Sequence, residues 1–153
     1  MHHTIRLATE ADLIEIVAML ADDDLGRARE APGNTLDPAY LKAFRDMQST
    51  GMNFQLVAQD GAGLVGCLQL TFIRGLSRRG ALRAQIEGVR VARRARGRGI
   101  GRTLVSSAIA RARDAGCTLV QLTSDKRRID AHRFYETLGF VASHEGMKLA
   151  LPD

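Results

Sequence analysis

The first fifty residues change their hydrophobic period twice. Residues 4–8 alternate between polar and apolar side chains, which is typical of a half-buried strand. After Thr9 and an acidic first turn, apolar residues recur at helical spacing: Leu13, Ile16, Val17 and Leu20. A second helix is predicted over residues 38–48, and Gly51 ends it. This part of the chain therefore predicts one strand followed by two helices.

The middle of the chain has β-type sequence. Apolar runs cover residues 54–59, 64–73 and 81–91. Glycine-containing turns separate these runs, at residues 60–63 and 75–80. Strands that are joined by short turns pair with their sequence neighbours, so this region predicts an antiparallel meander.

Helical spacing returns in the second half of the chain. Apolar residues stand four apart, and Gly116 follows them as a C-terminal cap: Ile100, Leu104, Ala108 and Ala112. Residues 117–123 form an apolar run that predicts a buried strand. A short helix is predicted over residues 130–138, with an aspartate at its start and a glycine after its end. Two further stretches have strand pattern, residues 140–143 and 147–151.

In chain order these elements are β-α-α-β-β-β-α-β-α-β, with room for one more strand at the end. There is no internal repeat, no low-complexity tract and no linker rich in Pro, Gly or Ser. The sequence therefore predicts one α+β domain over residues 1–153. We expect a mixed, mostly antiparallel sheet of six to seven strands flanked by four helices.

Composition places the chain among ordinary globular proteins. It has 153 residues, of which 45% are hydrophobic and 25% charged, enough for one real core. No stretch approaches the roughly 20 apolar residues that span a bilayer, and the first residues do not have the pattern of a signal peptide. The two cysteines, Cys67 and Cys117, lie in apolar runs, as buried thiols in a reducing compartment do. We therefore predict a cytoplasmic protein without a membrane partner.

Positive charge is concentrated in two segments. The formal net charge is +5, which by itself is compatible with a polyanionic partner. However, six arginines fall within residues 89–105, and a second basic run covers residues 126–128. Acidic residues cluster elsewhere, as in residues 22–24. Such local charge favours a compact anionic ligand over a long one.

The arginine-rich segment also holds three glycines, and two common phosphate-binding motifs do not match it. A dinucleotide-binding G-x-G-x-x-G that begins at Gly97 needs a third glycine where Arg102 stands. A Walker A loop needs a glycine at Arg96 and a lysine at Arg102. What remains is Arg96-x-x-Gly99-x-Gly101, between a strand and a helix start. Such a loop is either a solvated basic turn or an anion cradle of backbone N–H groups, helix dipole and guanidinium groups.

The motif that follows this loop decides between the two interpretations. Strand, Arg-x-x-Gly-x-Gly, amphipathic helix and strand precede AHRFYETLGF, in which residues 134–140 read Phe-Tyr-x-x-x-Gly-Phe. In this order and spacing the chain resembles the Gcn5-related N-acetyltransferase (GNAT) family over nearly its whole length. The stretch IEGVRVARRARGRGIG looks like the corresponding part of glucosamine-phosphate acetyltransferases, a likeness that does not extend to a substrate.

The resemblance implies acetyl-CoA as cosubstrate, with no metal. It assigns the coenzyme diphosphate to one continuous segment: Arg96, Gly97, Arg98, Gly99, Ile100, Gly101 and Arg102. It places the pantetheine arm between two diverging strands, against the backbone of Val89 and Val91. Further contacts are expected from four residues near the second motif: Lys126, Arg128, His132 and Phe134. Arg128 stands where many family members have a pantetheine-binding asparagine, and with Lys126 it is an alternative ligand for the 3′-phosphate.

Two residues are expected to carry the chemistry. The family places the tyrosine at Tyr135 near the coenzyme sulfur, where a phenol can protonate the leaving thiolate. Glu87 is the leading candidate for the base, because it precedes Val91 by four strand positions and both should share a face. A surface carboxylate paired with a nearby arginine is the alternative interpretation of Glu87, and a structural helix histidine that of His132.

The expected reaction is direct attack of a primary amine on acetyl-CoA in a ternary complex. The acidic residues 22–24 either favour a cationic amine or simply solvate a helix end. Two other functions stay open: an acyl-CoA-binding sensor with little catalysis, and a nucleic-acid-binding module that uses the arginine clusters. We predict no nucleic-acid partner, because the chain has only seven Phe and Tyr residues and no recognised DNA-binding motif. Homodimers are common in the family, and the sequence leaves the oligomeric state open.

Overall fold

The computed structural model of the chain describes residues 2–153 and contains one five-stranded sheet. The strands lie in sequence order across the sheet: β1 (Thr4–Leu7), β2 (Asn53–Asp60), β3 (Gly63–Arg74), β4 (Leu82–Val91) and β5 (Leu119–Leu122). The first four strands pair antiparallel, and β5 pairs parallel to β4. The predicted α+β class and the mixed, mostly antiparallel sheet are therefore confirmed.

Six helices accompany the sheet: α1 (Leu13–Ala21), α2 (Asp24–Arg27), α3 (Pro38–Thr50), α4 (Ser77–Gly80), α5 (Ile100–Asp114) and α6 (Ile129–Thr137). The expected number of four was wrong, because α2 and α4 are single turns of four residues and the sequence predicts no helix over either of them. In α4, moreover, Arg78 and Arg79 have positive φ, so this element is closer to a tight turn than to a regular helix. Within residues 2–153 no helix is long and apolar enough to cross a membrane.

The expected six to seven strands were also wrong. Within the part of the chain that the structure describes, no strand follows β5, and residues 140–143 and 147–151 have no regular secondary structure. Their alternating apolar residues, such as Val141 and Met147, lie exposed. A strand pattern produces a strand only where it pairs with a neighbouring edge, and in this structure these residues pair with none.

Two apolar clusters cover the two faces of the sheet. On one face α5 packs on β2, β3 and β4 through fully buried residues: Leu56, Leu68, Leu70, Ile86, Leu104 and Val105. On the other face α1 and α3 pack on β2 and β3 through a second set: Leu13, Ile16, Phe44, Val57 and Cys67. Both cysteines are free thiols; Cys67 is fully buried, which raises its pKa to about 12, and Cys117 is half-buried.

The two long helices end where the sequence predicts. Asp37 caps α3 by accepting the Ala39 amide at 2.9 Å, and Gly51 closes it in a left-handed conformation with φ of 65°. Gly116, with φ of 87°, follows the end of α5. These local signals fix where each helix begins and ends, whereas tertiary packing decides which face is buried.

The closest approach between α5 and the sheet depends on a missing side chain at Gly66. A Cβ there would lie 2.7 Å from a methyl group of Leu104 and 3.0 Å from the Arg90 carbonyl oxygen. We predict that Gly66→Ala lowers the free energy of unfolding by about 1–3 kcal/mol, because the helix must move off the sheet. Gly61→Ala is the matched control, since a Cβ at Gly61 meets nothing within 4 Å. Urea unfolding of both variants measures the difference, and equal midpoints would contradict this packing.

Candidate active site

The parallel strands β4 and β5 separate partway along the sheet. Their pairing runs from Arg83 with Leu119 to Ile86 with Leu122 and stops there. On its other edge β4 stays paired to β3 as far as Val91. Residues 87–91 therefore have backbone groups on the β5 side that no strand of this chain pairs. Such groups need a partner, and a slender ligand with amide groups can supply one.

A bulge at Gly88 decides which side chains face the opening. Gly88 has φ of 60°, and the register of β3 with β4 shifts in this region. As a result Ile86, Val89 and Val91 all pack into the cluster on the α5 face, although regular alternation would separate Ile86 from the other two. Glu87 therefore lies on the opposite face from Val91. The expectation that these two side chains share a face was wrong, because it assumed an unbroken strand.

Glu87 is exposed at this bulge. Its Oε1 accepts a hydrogen bond from the Gln85 amide at 2.7 Å, and Gln85 in turn accepts one from Gln121 of β5 at 2.8 Å. The carboxylate thus stands at the point where β4 and β5 separate, on the face that α1 covers. This position gives a substrate direct access to it.

The arginine- and glycine-rich loop leads from β4 to the N-terminus of α5. Gly97 and Gly99 both have φ of 77°, and a Cβ at either position would meet nothing within 4 Å. The Thr103 amide closes the first turn of α5 on the Gly99 carbonyl oxygen at 3.0 Å. The three amides before it, of residues 100–102, precede that bond and point out of the helix end. These amides and the helix dipole are the groups that the predicted anion cradle requires.

Several arginines of this segment have structural partners. Arg94 binds the Asp60 carboxylate through two hydrogen bonds of 2.8 and 3.0 Å, and it holds the pKa of Asp60 down at about 2. Arg93 binds Asp22 at 2.9 Å. Arg96 donates to the Val91 carbonyl oxygen at 3.3 Å. The charge around the loop is therefore partly neutralised by the protein itself.

Aromatic residues of α6 connect the loop to the opening between the strands. A Cβ at Gly101 would lie 3.4 Å from the Phe134 ring, so this ring packs against the first turn of α5. The Phe134 and Tyr135 rings meet edge to face with centroids 5.1 Å apart. Burial raises the pKa of the Tyr135 phenol, an effect that the nearby guanidinium groups of Arg90 and Arg128 oppose. Tyr135 therefore stays protonated at neutral pH and lies close to both arginines.

Three other candidates have partners away from the loop. Lys126 pairs with Glu145 at 3.4 Å. Arg128 binds Asp23 at 2.6 Å, across the opening. His132 contacts the carbonyl oxygen of Asp125 at 3.0 Å through Nε2, as a structural helix histidine does. These contacts bring Arg128 to the face of the sheet that carries α1 and α2.

Sequence reasoning missed Arg90 and Asp23. Arg90 lies in the unpaired stretch of β4, its side chain is only 15% exposed, and its Nε is 3.7 Å from Asp23. The sequence alone suggests that Arg90 is an ordinary solvated arginine. The one signal against this was Gly88, because a glycine inside a strand often marks a bulge, which changes the face on which the following side chains lie. The neighbouring aspartates are likewise engaged, since Asp22 binds Arg93 and Asp24 lies 3.7 Å from Arg27. The idea that residues 22–24 recruit a cationic amine thus loses its support.

Comparison with known proteins agrees with this geometry. A family model described as "Acetyltransferase (GNAT) family" matches residues 17–140. A Drosophila melanogaster protein described as a probable glucosamine 6-phosphate N-acetyltransferase is 30% identical over 112 residues, 72% of this chain. The chain spans about half the length of that relative, since the match covers 50% of it.

Two solved structures extend the comparison. A Bacillus halodurans protein described as a transcriptional regulator is 53% identical, with a TM-score of 0.95, covering 98% of this chain and 100% of its own. A protein described as a putative acetyltransferase from Agrobacterium tumefaciens is 27% identical, with a TM-score of 0.84, covering 97% of this chain and 99% of its own. The family match spans most of the chain, and with it the loop and both diverging strands. The chain therefore belongs to the GNAT family of acetyltransferases.

Proposed function

We propose that this chain is an N-acetyltransferase that moves the acetyl group of acetyl-CoA to a primary amine by direct attack in a ternary complex. The observation that carries this function is the end of β4–β5 pairing at Ile86 and Leu122, with the N-terminus of α5 at the open end. That arrangement places a stretch of β4 that has no strand on its β5 side next to the amides that begin α5. Acetyl-CoA fits both features, because the amides of its long arm can pair with a strand and its diphosphate can bind at a helix N-terminus.

The two ends of the coenzyme bind by different forces. The diphosphate lies against the amides of residues 100–102, with Arg96, Arg98 and Arg102 around it. Gly97 and Gly99 keep this space clear of side chains. The pantetheine amides pair with the backbone of Val89 and Val91 as an additional strand, while Phe134 closes the groove. Lys126 and Arg128 each pair with a carboxylate of the protein, which weakens the case that they bind the 3′-phosphate of the coenzyme.

Acyl transfer requires that the oxyanion be stabilised and the leaving thiolate protonated. The amine nitrogen forms a bond to the thioester carbon, and the carbon–sulfur bond then breaks. A backbone N–H near Val91 stabilises the oxyanion. Tyr135 donates its phenolic proton to the departing sulfur, and its raised pKa keeps that proton in place at neutral and mildly alkaline pH.

Glu87 is the proposed base. It removes a proton from the incoming amine, directly or through water, from the face of the sheet opposite to the loop. The bulge at Gly88 supports this role, because it turns Glu87 away from the coenzyme face while keeping it beside the opening. Within residues 2–153 no group of three or more His, Cys, Asp or Glu could hold a metal ion, and the proposed chemistry uses none.

The first test concerns the cradle. Gly99→Asp places a carboxylate at the start of α5, where it competes with the diphosphate for the same amides. We expect acetyl-CoA to raise the melting temperature of the unchanged protein by mass action and to leave that of Gly99→Asp unchanged. Gly116→Asp is the matched control: it has a similarly positive φ and open surroundings, at the opposite end of the same helix. Isothermal titration with acetyl-CoA gives the dissociation constants.

Retained affinity in the Gly99→Asp protein would remove the loop from the coenzyme site. A duplex oligonucleotide at physiological salt is included in the same experiment. If it stabilises the protein and acetyl-CoA does not, the arginine-rich loop serves nucleic acid instead. If acetyl-CoA binds but no amine is turned over, the protein is a sensor.

The second test separates the acid from the base. Tyr135→Phe keeps the ring packing and removes the proton, so we expect kcat to fall by about 10²-fold, a typical loss for a general acid. The dissociation constant of acetyl-CoA should change by no more than about threefold. This is a much smaller effect on binding than a tenfold change, which corresponds to roughly 1.4 kcal/mol. Stopped assays of free thiol release across pH 6–10 measure this.

Glu87→Gln is the comparison variant. It should lower kcat/KM for the amine most strongly at the low end of the pH 6–10 range, where the amine is protonated and needs a base to remove its proton. Coenzyme binding should be unchanged. Unchanged turnover in Tyr135→Phe would exclude the acid role, whatever Glu87→Gln does.

A further inference from the structure

Arg90, Arg128 and Asp23 form a charged cluster beside the opening between β4 and β5, which we call the arginine cluster. Asp23 Oδ2 is 2.6 Å from Arg128 Nη1 and 3.7 Å from Arg90 Nε. The other carboxylate oxygen of Asp23 accepts the Gly26 amide at the start of α2. One carboxylate, already used as a helix cap, thus serves two guanidinium groups.

The cluster lacks one hydrogen-bond acceptor. Arg90 is largely buried, and among residues 2–153 its Nε is the one buried side-chain nitrogen or oxygen without a hydrogen-bond partner. An unsatisfied buried charged donor is costly and calls for an explanation. Burial lowers the pKa of Arg90, and the positive charges of Arg128 and Arg29 lower it further. The site therefore has an excess of positive charge and an unused donor.

The position of the cluster separates it from the coenzyme loop. Arg90 pairs across the sheet with Cys67, which packs with α1 and α3, whereas the loop leads into α5 on the other face. Both arginines also act on the pKa of Tyr135, so they are close to its phenol. An anion here would lie across the opening from the diphosphate.

We infer that Arg90 and Arg128 hold an anionic group of the acceptor, so that the substrate class is amines that carry a carboxylate or a phosphate. The anion binds beside Asp23, supplies the missing acceptor to Arg90 and directs the amine toward Tyr135 and Glu87. This inference rests on the proposed acetyltransferase function.

Matched amine pairs test the substrate class. One pair is a hexosamine with and without a phosphate, and another is an α-amino acid and its decarboxylated amine. We expect the anionic member of at least one pair to have a kcat/KM more than tenfold higher. Arg90→Gln and Arg128→Gln should raise KM for that member about tenfold or more, the loss expected for a hydrogen bond to a charged group, and leave KM for its neutral partner unchanged. Arg113→Gln, on the exposed end of α5, is the control.

The outcomes separate this inference from the proposed function. Turnover of neutral and cationic amines at equal efficiency would overturn the substrate class and leave the acetyltransferase standing. Where no amine of the panel reacts, inorganic phosphate is the probe, with the loop saturated by acetyl-CoA. Phosphate should then raise the melting temperature of the unchanged protein and not of Arg90→Gln. An equal shift in both proteins would also overturn the inference.

Discussion

The site depends on the loss of hydrogen bonding between β4 and β5 beyond Ile86 and Leu122. In a continuous sheet the backbone of residues 87–91 would be satisfied on both edges. Here β3 satisfies one edge, and the other faces an opening. A buried backbone group without a partner is costly, so the protein keeps this stretch at the margin of the sheet, where water or a ligand completes it. In the proposed function, the coenzyme takes the place of the missing strand.

The bulge at Gly88 gives the opening two chemically different sides. Because the alternation slips by one residue, Val89 and Val91 turn toward the apolar α5 face, while Glu87 and Arg90 turn toward α1 and α2. An acyl donor and a polar acceptor can therefore approach the same point from opposite faces of the sheet. The direct transfer that we propose needs this separation, because both substrates must be present at once. A single glycine with positive φ thus decides which side chains of β4 face each side of the opening.

Local features of the fold could be predicted from the sequence, and nonlocal ones could not. Gly51 and Gly116 end their helices because left-handed backbone favours glycine wherever it stands in the fold. Residues 140–143 and 147–151 have the pattern of a strand as well, but a strand also needs a neighbouring edge, and in this structure they pair with none. Glu87 was placed on the wrong face because a period of two was carried through Gly88. Glycine inside a strand often marks a bulge, so that signal was present.

The arginines show why counting charge alone misleads. Arg93 and Arg94 follow one another in the densest basic segment, yet each is bound by an aspartate distant in sequence, Asp22 or Asp60. Arg90 looks ordinary in the sequence, but burial leaves it with a donor unsatisfied. A guanidinium group that is exposed and paired contributes little binding energy to a ligand, whereas a desolvated one with a spare donor contributes strongly. Specificity for an anion should therefore come from Arg90 rather than from the more conspicuous cluster.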